Sequence, residues 1–264
     1  MWRGHTKSHR ISENTKQLMA GIPLKTVVWV LCLLPVFLFP AIESSGGVIA
    51  FDEITLSGHP VFIRALTKGR FFPAGGERIS IQISQENPQK ILTGGDGYGR
   101  LKINPKNPGF IKITVTYGQD IDTAKLLVMD ASESALVIEM DSALRTGMFA
   151  PNAMQDSQEV LKNLSSKYRL IYLHGIEGRH RSKSWLEANH FPEGIVLQNR
   201  GSDTLIDLNR KNIKMEGYIG SAETASAAVP YVKHTLTFAE STEVISAGTW
   251  EEVQDILESR NDRE

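Results

Sequence analysis

Residues 135–144 read Ala135-Leu136-Val137-Ile138-Glu139-Met140-Asp141-Ser142-Ala143-Leu144, a continuous apolar run ending in two carboxylates. Four apolar residues in a row, without polar alternation, suit a strand buried on both faces, as in a parallel sheet. Downstream, Arg169-Leu170-Ile171-Tyr172-Leu173 has the same character, and Ile195-Val196-Leu197 and Gly217-Tyr218-Ile219-Gly220 repeat it more briefly. Helical spacing separates these runs: Val160, Leu161 and Leu164 within 155–168, a helix around Ser182–Ala188, and another over 221–232. Residues 234–238 read as extended, and 249–258 as an amphipathic helix with Val253, Ile256 and Leu257 inward. Strands alternating with helices predict a doubly wound, Rossmannoid α/β domain over residues 130–264.

Upstream the rhythm is different. Ile79, Ile81 and Ile83 alternate with Ser80, Gln82 and Ser84; Ile111, Ile113, Val115 and Tyr117 alternate with Lys112, Thr114 and Thr116. Period two puts one side of each strand on a core and the other in water. Turn signals at Ser57-Gly58, Pro73-Ala74-Gly75-Gly76, Gly94-Gly95-Asp96-Gly97 and Asn107-Pro108-Gly109 punctuate the strands, which predicts a β-sandwich over residues 49–129. The stretch Gly97–Tyr117 resembles bacterial immunoglobulin-like modules, and the resemblance implies a spacer or docking role without catalysis.

At the N-terminus, Arg3, Lys7, Arg10, Lys16 and Lys25 face Glu13 alone, whereas the other 239 residues hold 24 Lys and Arg against 29 Asp and Glu. An acidic main body argues against nucleic-acid binding, which needs a basic face. Thr26–Ile42 is 17 residues without a charge; as a helix it spans about 25 Å, and with Leu24 and a snorkelling Lys25 it can cross a bilayer. The expected layout is a basic cytoplasmic leader over 1–23, a transmembrane anchor over 24–42, a short linker at 43–48, and the rest on the far side by the positive-inside rule. The expected location is the inner or plasma membrane, single-pass, with the C-terminal domains in the periplasm. A cleaved signal peptide is the rival reading of 24–42, with Ser44, Ser45, Gly46 and Gly47 following it. Cys32 is the only cysteine and lies inside the apolar run, so the exported body has no disulfide.

In open α/β sheets, ligands sit at the carboxyl ends of the strands. Val137–Leu144 resembles the first motif of the haloacid dehalogenase superfamily, a strand followed by D-x-D-G-T-L. Tyr172-Leu173-His174-Gly175 falls where that superfamily ends a strand in Ser or Thr. Arg181 to Gly194, with Trp185, Leu186, Phe191 and Pro192, is similar to the corresponding region of lipin-type and related phosphatidate phosphatases. Tyr218-Ile219-Gly220-Ser221, with Ala225, falls at its G-D-x-x-x-D. The likeness covers roughly residues 130–258.

The resemblance implies a carboxylate nucleophile, a second Asp as general acid and base, a Ser or Thr and a Lys that hold the phosphoryl group, and late carboxylates for Mg²⁺. Here those positions read Glu139, Asp141, His174, Lys211 or Lys214, Ser221 and Ala225, with Ser142-Ala143 in place of Gly-Thr. The extra methylene of Glu139 shifts a carboxylate by about 1.5 Å, enough to cost on the order of 100-fold. No catalytic residue and no cofactor is therefore expected. Glu139, Asp141, His174, Lys211 and Lys214 are read as vestigial, and Asp141 is the one carboxylate that an ion would find.

Ser142, Gly175, Arg179, Arg181 and Ser221 are the ligand-binding candidates, with Arg179, His180, Arg181 and Lys183 forming a small basic loop suited to a phosphate or an acidic partner. His174 and His180 with Glu177 lack the frame of a metal site. Leu173-His174-Gly175 resembles the oxyanion loop of α/β-hydrolases, but the chain has no G-x-S-x-G elbow. The expected function is a membrane-anchored pseudo-phosphatase serving as a binding or assembly module for protein partners in the envelope. The alternatives are a Mg²⁺-dependent phosphohydrolase acting on an exported or lipid phosphate, and a purely structural subunit.

Overall fold

A computed structural model describes residues 47–69, 72–147, 152–175 and 177–259, all within one compact unit, Gly46–Glu264. The leader and the 24–42 segment lie outside the described residues. Among the described residues no helix is long and apolar enough to cross a membrane.

The alternating segments form the expected β-sandwich. One sheet has the order β1-β3-β6, with β1 at Gly47–Ala50, β3 at Val61–Lys68 and β6 at Tyr98–Ile103. The other has the order β2-β8-β7-β4-β5, with β2 at Glu53–Leu56, β8 at Asp120–Met129, β7 at Gly109–Tyr117, β4 at Arg78–Ile83 and β5 at Gln89–Leu92. Val61, Ile63 and Ala65 of β3 meet Ile79, Ile81 and Ile83 of β4, together with Ile113 and Val115 of β7, in one apolar cluster. Of the predicted period-two residues, Ile79, Ile81, Ile83, Ile113 and Val115 are buried, and Ile111 and Tyr117 are half-buried against the same cluster. At Gly97 the chain turns with φ +77°, and a side chain there would collide with Pro73 at 2.7 Å and the Thr67 carbonyl at 3.1 Å, so only glycine closes this turn.

The second half is an α/β layer structure. Six strands lie parallel in the order β11-β10-β9-β12-β13-β14: β9 at Ala135–Glu139, β10 at Arg169–His174, β11 at Ile195–Gln198, β12 at Met215–Gly220, β13 at His234–Thr237 and β14 at Ile245–Ser246. Leu136 and Ile138 of β9 face α1 (Ser157–Leu164), α2 (Arg179–Ala188) and α5 (Trp250–Ser259) through Val160, Leu186 and Trp250. Ala135 and Val137 face α3 (Ser202–Arg210) and α4 (Ala222–Ala228) through Leu205, Leu208 and Ala225. Helix α3 was not anticipated: its buried apolar residues are Leu205 and Leu208, with Ile206 beside them, in a short run bounded by polar residues.

The two halves share packing. In β8, Ala124, Leu126 and Val128 point into the sandwich, while Leu127 and Met129 point the other way and join Ile54 and Leu56 of β2 against Val137, Ile171 and Leu208. β8 is therefore buried on both sides near its end, although it belongs to a sandwich.

Candidate functional site

The carboxyl ends of β9 and β12 bring Glu139 and Ser221 together, and the Glu139 carboxylate organises the groups around it. Its Oε2 accepts from Ser142 Oγ, the Ser221 backbone N–H and Thr224 Oγ1, each at 2.8 Å, and its Oε1 accepts from Asn199 Nδ2 at 2.9 Å. A carboxylate offers about four lone-pair positions, so this one is filled by the protein itself. Gly220 permits the approach, because a Cβ there would stand 2.7 Å from Oε2. The Tyr218 hydroxyl beside it is pushed above its ordinary pKa by burial first and the Glu139 charge second. Glu139 thus ties the ends of β9, β11 and β12 to the start of α4. Asn199, Thr224 and Tyr218 were not singled out from sequence; only the Ser221-x-x-Thr224 spacing, a helix N-cap in which Ser221 Oγ accepts from the Thr224 N–H, could have indicated one of them.

Asp141 sits apart from this hub, against Gly175, where a Cβ would meet its Oδ2 at 2.2 Å. Its pKa is raised, chiefly by burial; Arg145 opposes the shift, while Glu177 and Glu139 add to it. Arg145, 1% exposed, pairs with Glu177, lies 3.8 Å from Asp141 and stacks 4.6 Å over the Trp185 ring. Among the described residues no set of three His, Cys, Asp or Glu converges as metal ligands.

The other predicted residues go elsewhere. Arg179 reaches the sandwich, donating to Asp122 and to the Thr123 carbonyl at 3.0 Å. Lys211 pairs with Glu53 of β2 at 3.1 Å. Lys214 precedes β12 and so lies at the opposite end of the sheet from Glu139. Ala225 is buried beneath the sheet.

Arg179 and Lys211, with His174 and Arg181, line a cleft of about 980 Å³ between the sandwich and the strand ends. The sandwich wall is the outward face of β3, Phe62, Arg64 and Lys68, with Phe51 and Tyr98 beside it; the α/β wall carries Gln198, Arg200 and Arg210. His174 is held below its ordinary pKa by burial first, with the Arg179 charge adding to it.

At the base of the cleft, Asp52 is fully buried and accepts from the backbone N–H groups of Lys125 and Val196, both at 2.9 Å, and from Lys183 Nζ. Lys183 is pushed below its ordinary pKa by burial, against the pull of Asp52. Part of the sandwich half of the cleft escaped the sequence reading because Phe62, Arg64 and Lys68 occupy the water-facing positions of the alternating strand β3.

No family model matches the chain, and no curated protein matches it. Among solved structures, the D00-D0 domain of intimin is 14% identical with a TM-score of 0.29, over 35% of this chain and 52% of that one. Domains 4 and 5 of the S-layer protein SbsC are 14% identical with a TM-score of 0.24, over 32% and 44%. The I9–I11 tandem of titin is 16% identical with a TM-score of 0.27, over 38% and 39%. The chain spans about half or less of the length of each.

These neighbours are immunoglobulin-like β-sandwich domains, and no haloacid-dehalogenase-like domain matches. The assignment of residues 130–258 to the haloacid dehalogenase superfamily, and with it the lipin-like branch and the vestigial phosphatase, is overturned. The motifs that suggested it are short, and an acidic turn after a parallel strand is a general feature of α/β sheets. Glu139 serves here as a structural acceptor and Lys211 as a partner of the sandwich.

Proposed function

We propose that this chain is a binding and assembly module, held at the membrane by its 24–42 segment with residues 47–259 on the extracytoplasmic side, and that the cleft between the sandwich and the parallel sheet receives the partner. The cleft carries the reading. Its volume of about 980 Å³ lies at the upper end of the range for ligand sites, and its walls combine aromatic side chains with guanidinium groups, the pairing favoured at binding hot spots. The strand-end carboxylate of Glu139 is already engaged by four donors of the protein itself. Membrane attachment is supported by the basic leader and the 17-residue charge-free segment.

The test uses the full chain in its native membrane, with a photocrosslinking residue in place of Phe62 or Arg181 and a control at the exposed Glu251 on α5. Discrete adducts from the two cleft positions and none from the control are expected. Equal labelling from all three, or none from the cleft, would remove the reading. Carbonate extraction and a reporter placed after Glu264 check the tether: the protein should stay with the membrane and the reporter should be active outside the cytoplasm.

A further inference from the structure

The body of the protein is acidic, yet its cleft is not. Seven Lys and Arg residues line it against four carboxylates, Asp52, Glu53, Glu177 and Asp207. Each of those carboxylates is already used. Asp52 holds Lys183, and Glu177 holds Arg145. Glu53 holds both Arg64 and Lys211, and Asp207 holds both Arg200 and Arg210. Two lining cations are left over: Arg181 on α2 and Lys68 on β3 have no carboxylate partner among the described residues and are exposed.

On the sandwich wall, Arg64 lies directly across from Arg100 in the β3–β6 ladder, and each is offset by its own carboxylate, Glu53 for Arg64 and Asp96 for Arg100. Both are held in place: Arg64 stands 5.6 Å over the Phe51 ring, Phe51 stacks on Tyr98 at 5.9 Å, and Arg100 stands 5.2 Å over Tyr98. The result is a cation–ring–ring–cation stack, and Phe62, 52% exposed, stands on the same outward face of β3 as Arg64.

We infer that the cleft binds an acidic peptide segment, its carboxylates held between Arg181 and Lys68 and its apolar side chains packed on Phe62. The inference rests on the binding-module reading and adds the class of partner. Surplus cations between low-dielectric walls focus potential and attract an anion. A peptide is favoured over an acidic glycan because the lining includes the part-exposed apolar side chains of Ile49, Phe51, Phe62 and Leu197, which a hydroxyl-rich chain leaves unmatched. A segment of about eight extended residues is roughly 27 Å long.

The test measures fluorescence anisotropy of the full chain in neutral detergent with a labelled peptide of about eight residues alternating Glu with Leu and Phe, and with its Gln counterpart. Saturable binding of the Glu peptide is expected, weakened as ionic strength rises, with the Gln peptide binding at least tenfold more weakly. Arg181→Glu and Lys68→Glu should each weaken the Glu peptide about fivefold; both sites are exposed, and unchanged melting of the variants excludes misfolding. Hyaluronate and vesicles containing an anionic lipid are run beside the peptides. No peptide binding, binding insensitive to both substitutions, or tighter binding of hyaluronate or vesicles overturns the inference. Because membrane crosslinking from Phe62 and Arg181 is read separately, the binding module can stand while the acidic peptide falls.

Discussion

Asp52, in the sandwich, accepts a hydrogen bond at 2.9 Å from the backbone N–H of Val196, on the edge strand of the parallel sheet. An edge strand presents unpaired backbone groups to its surroundings. Here part of that edge is satisfied by a side chain from the other half of the molecule, and the same carboxylate binds the Lys125 N–H and Lys183. Asp52→Ala leaves three donors without this acceptor, the Val196 N–H buried and the other two partly buried, and should lower stability by about 3 kcal/mol. Chemical denaturation of the variant beside the wild type measures the loss, and a change of under about 0.5 kcal/mol would deny Asp52 this role.

Two glycines at the strand ends should respond differently to alanine. At Gly194 a Cβ would meet the Tyr172 ring at 2.6 Å and the Leu170 carbonyl at 2.7 Å, and neither can withdraw. At Gly175 the obstacle is the Asp141 carboxylate at 2.2 Å, the free end of a side chain that can rotate. Gly194→Ala should cost about 2–3 kcal/mol and Gly175→Ala under about 1 kcal/mol. Comparing the two denaturation midpoints decides it.

The pH dependence follows from the directions of two shifts. His174 is held below its ordinary pKa of 6.5 in the folded state, so the unfolded chain takes up the proton first. Stability is full above that ordinary value and falls as pH drops through it toward the folded pKa. Asp141 is shifted upward, so its contribution is present below its ordinary value of 3.8 and is lost as pH rises through the raised one. His174→Gln should flatten the decline of melting temperature below about pH 6.5. Asp141→Asn should raise the melting temperature at pH 7 by one or two degrees, on the order of the shift that a few tenths of a kcal/mol produces. Melting curves of the three proteins between pH 4 and 8 check both. A decline that persists unchanged in His174→Gln would assign it to another group.

The order of elements was largely legible, because burial on one face or on two leaves distinct patterns. The Ile79, Ile81, Ile83 alternation and the Leu136–Ile138 run each led to the right strand. Where the same pattern was pressed into a family, it misled. Glu139 looked like a displaced nucleophile, but what it does depends on Asn199 and Thr224, 60 and 85 residues away, and no local signal ties them together. The cleft was half legible: Arg181 stood out in a basic loop, while Lys68 and Phe62 were ordinary outward residues of a strand. Lys211 pairs with Glu53 of the sandwich, 158 residues earlier, a partner that no local pattern signals.

The last prediction concerns which half can stand alone. The sandwich cluster of Ile63, Ile81, Val115 and Val128 is contributed by residues 48–128 only, so a fragment of residues 47–129 keeps its own core. The parallel sheet does not: its α3–α4 side is completed by Ile54, Leu56, Leu127 and Met129 from the sandwich. Fully burying side chains of this size is worth about 1.5–3 kcal/mol each, so losing four of them rivals the whole stability of an ordinary domain, about 5–15 kcal/mol. Deletion also uncovers the β11 edge that Asp52 partly satisfies. The 47–129 fragment should therefore give β-type circular dichroism and a cooperative melt. Residues 130–264 alone should melt without cooperativity, bind a dye specific for exposed apolar surface, and aggregate. Adding the 47–129 fragment in trans should suppress the dye signal, since the missing surface is then supplied. A sharp melt of 130–264 on its own, with no dye binding, would show that Ile54, Leu56, Leu127 and Met129 merely rest on a sheet that is stable without them.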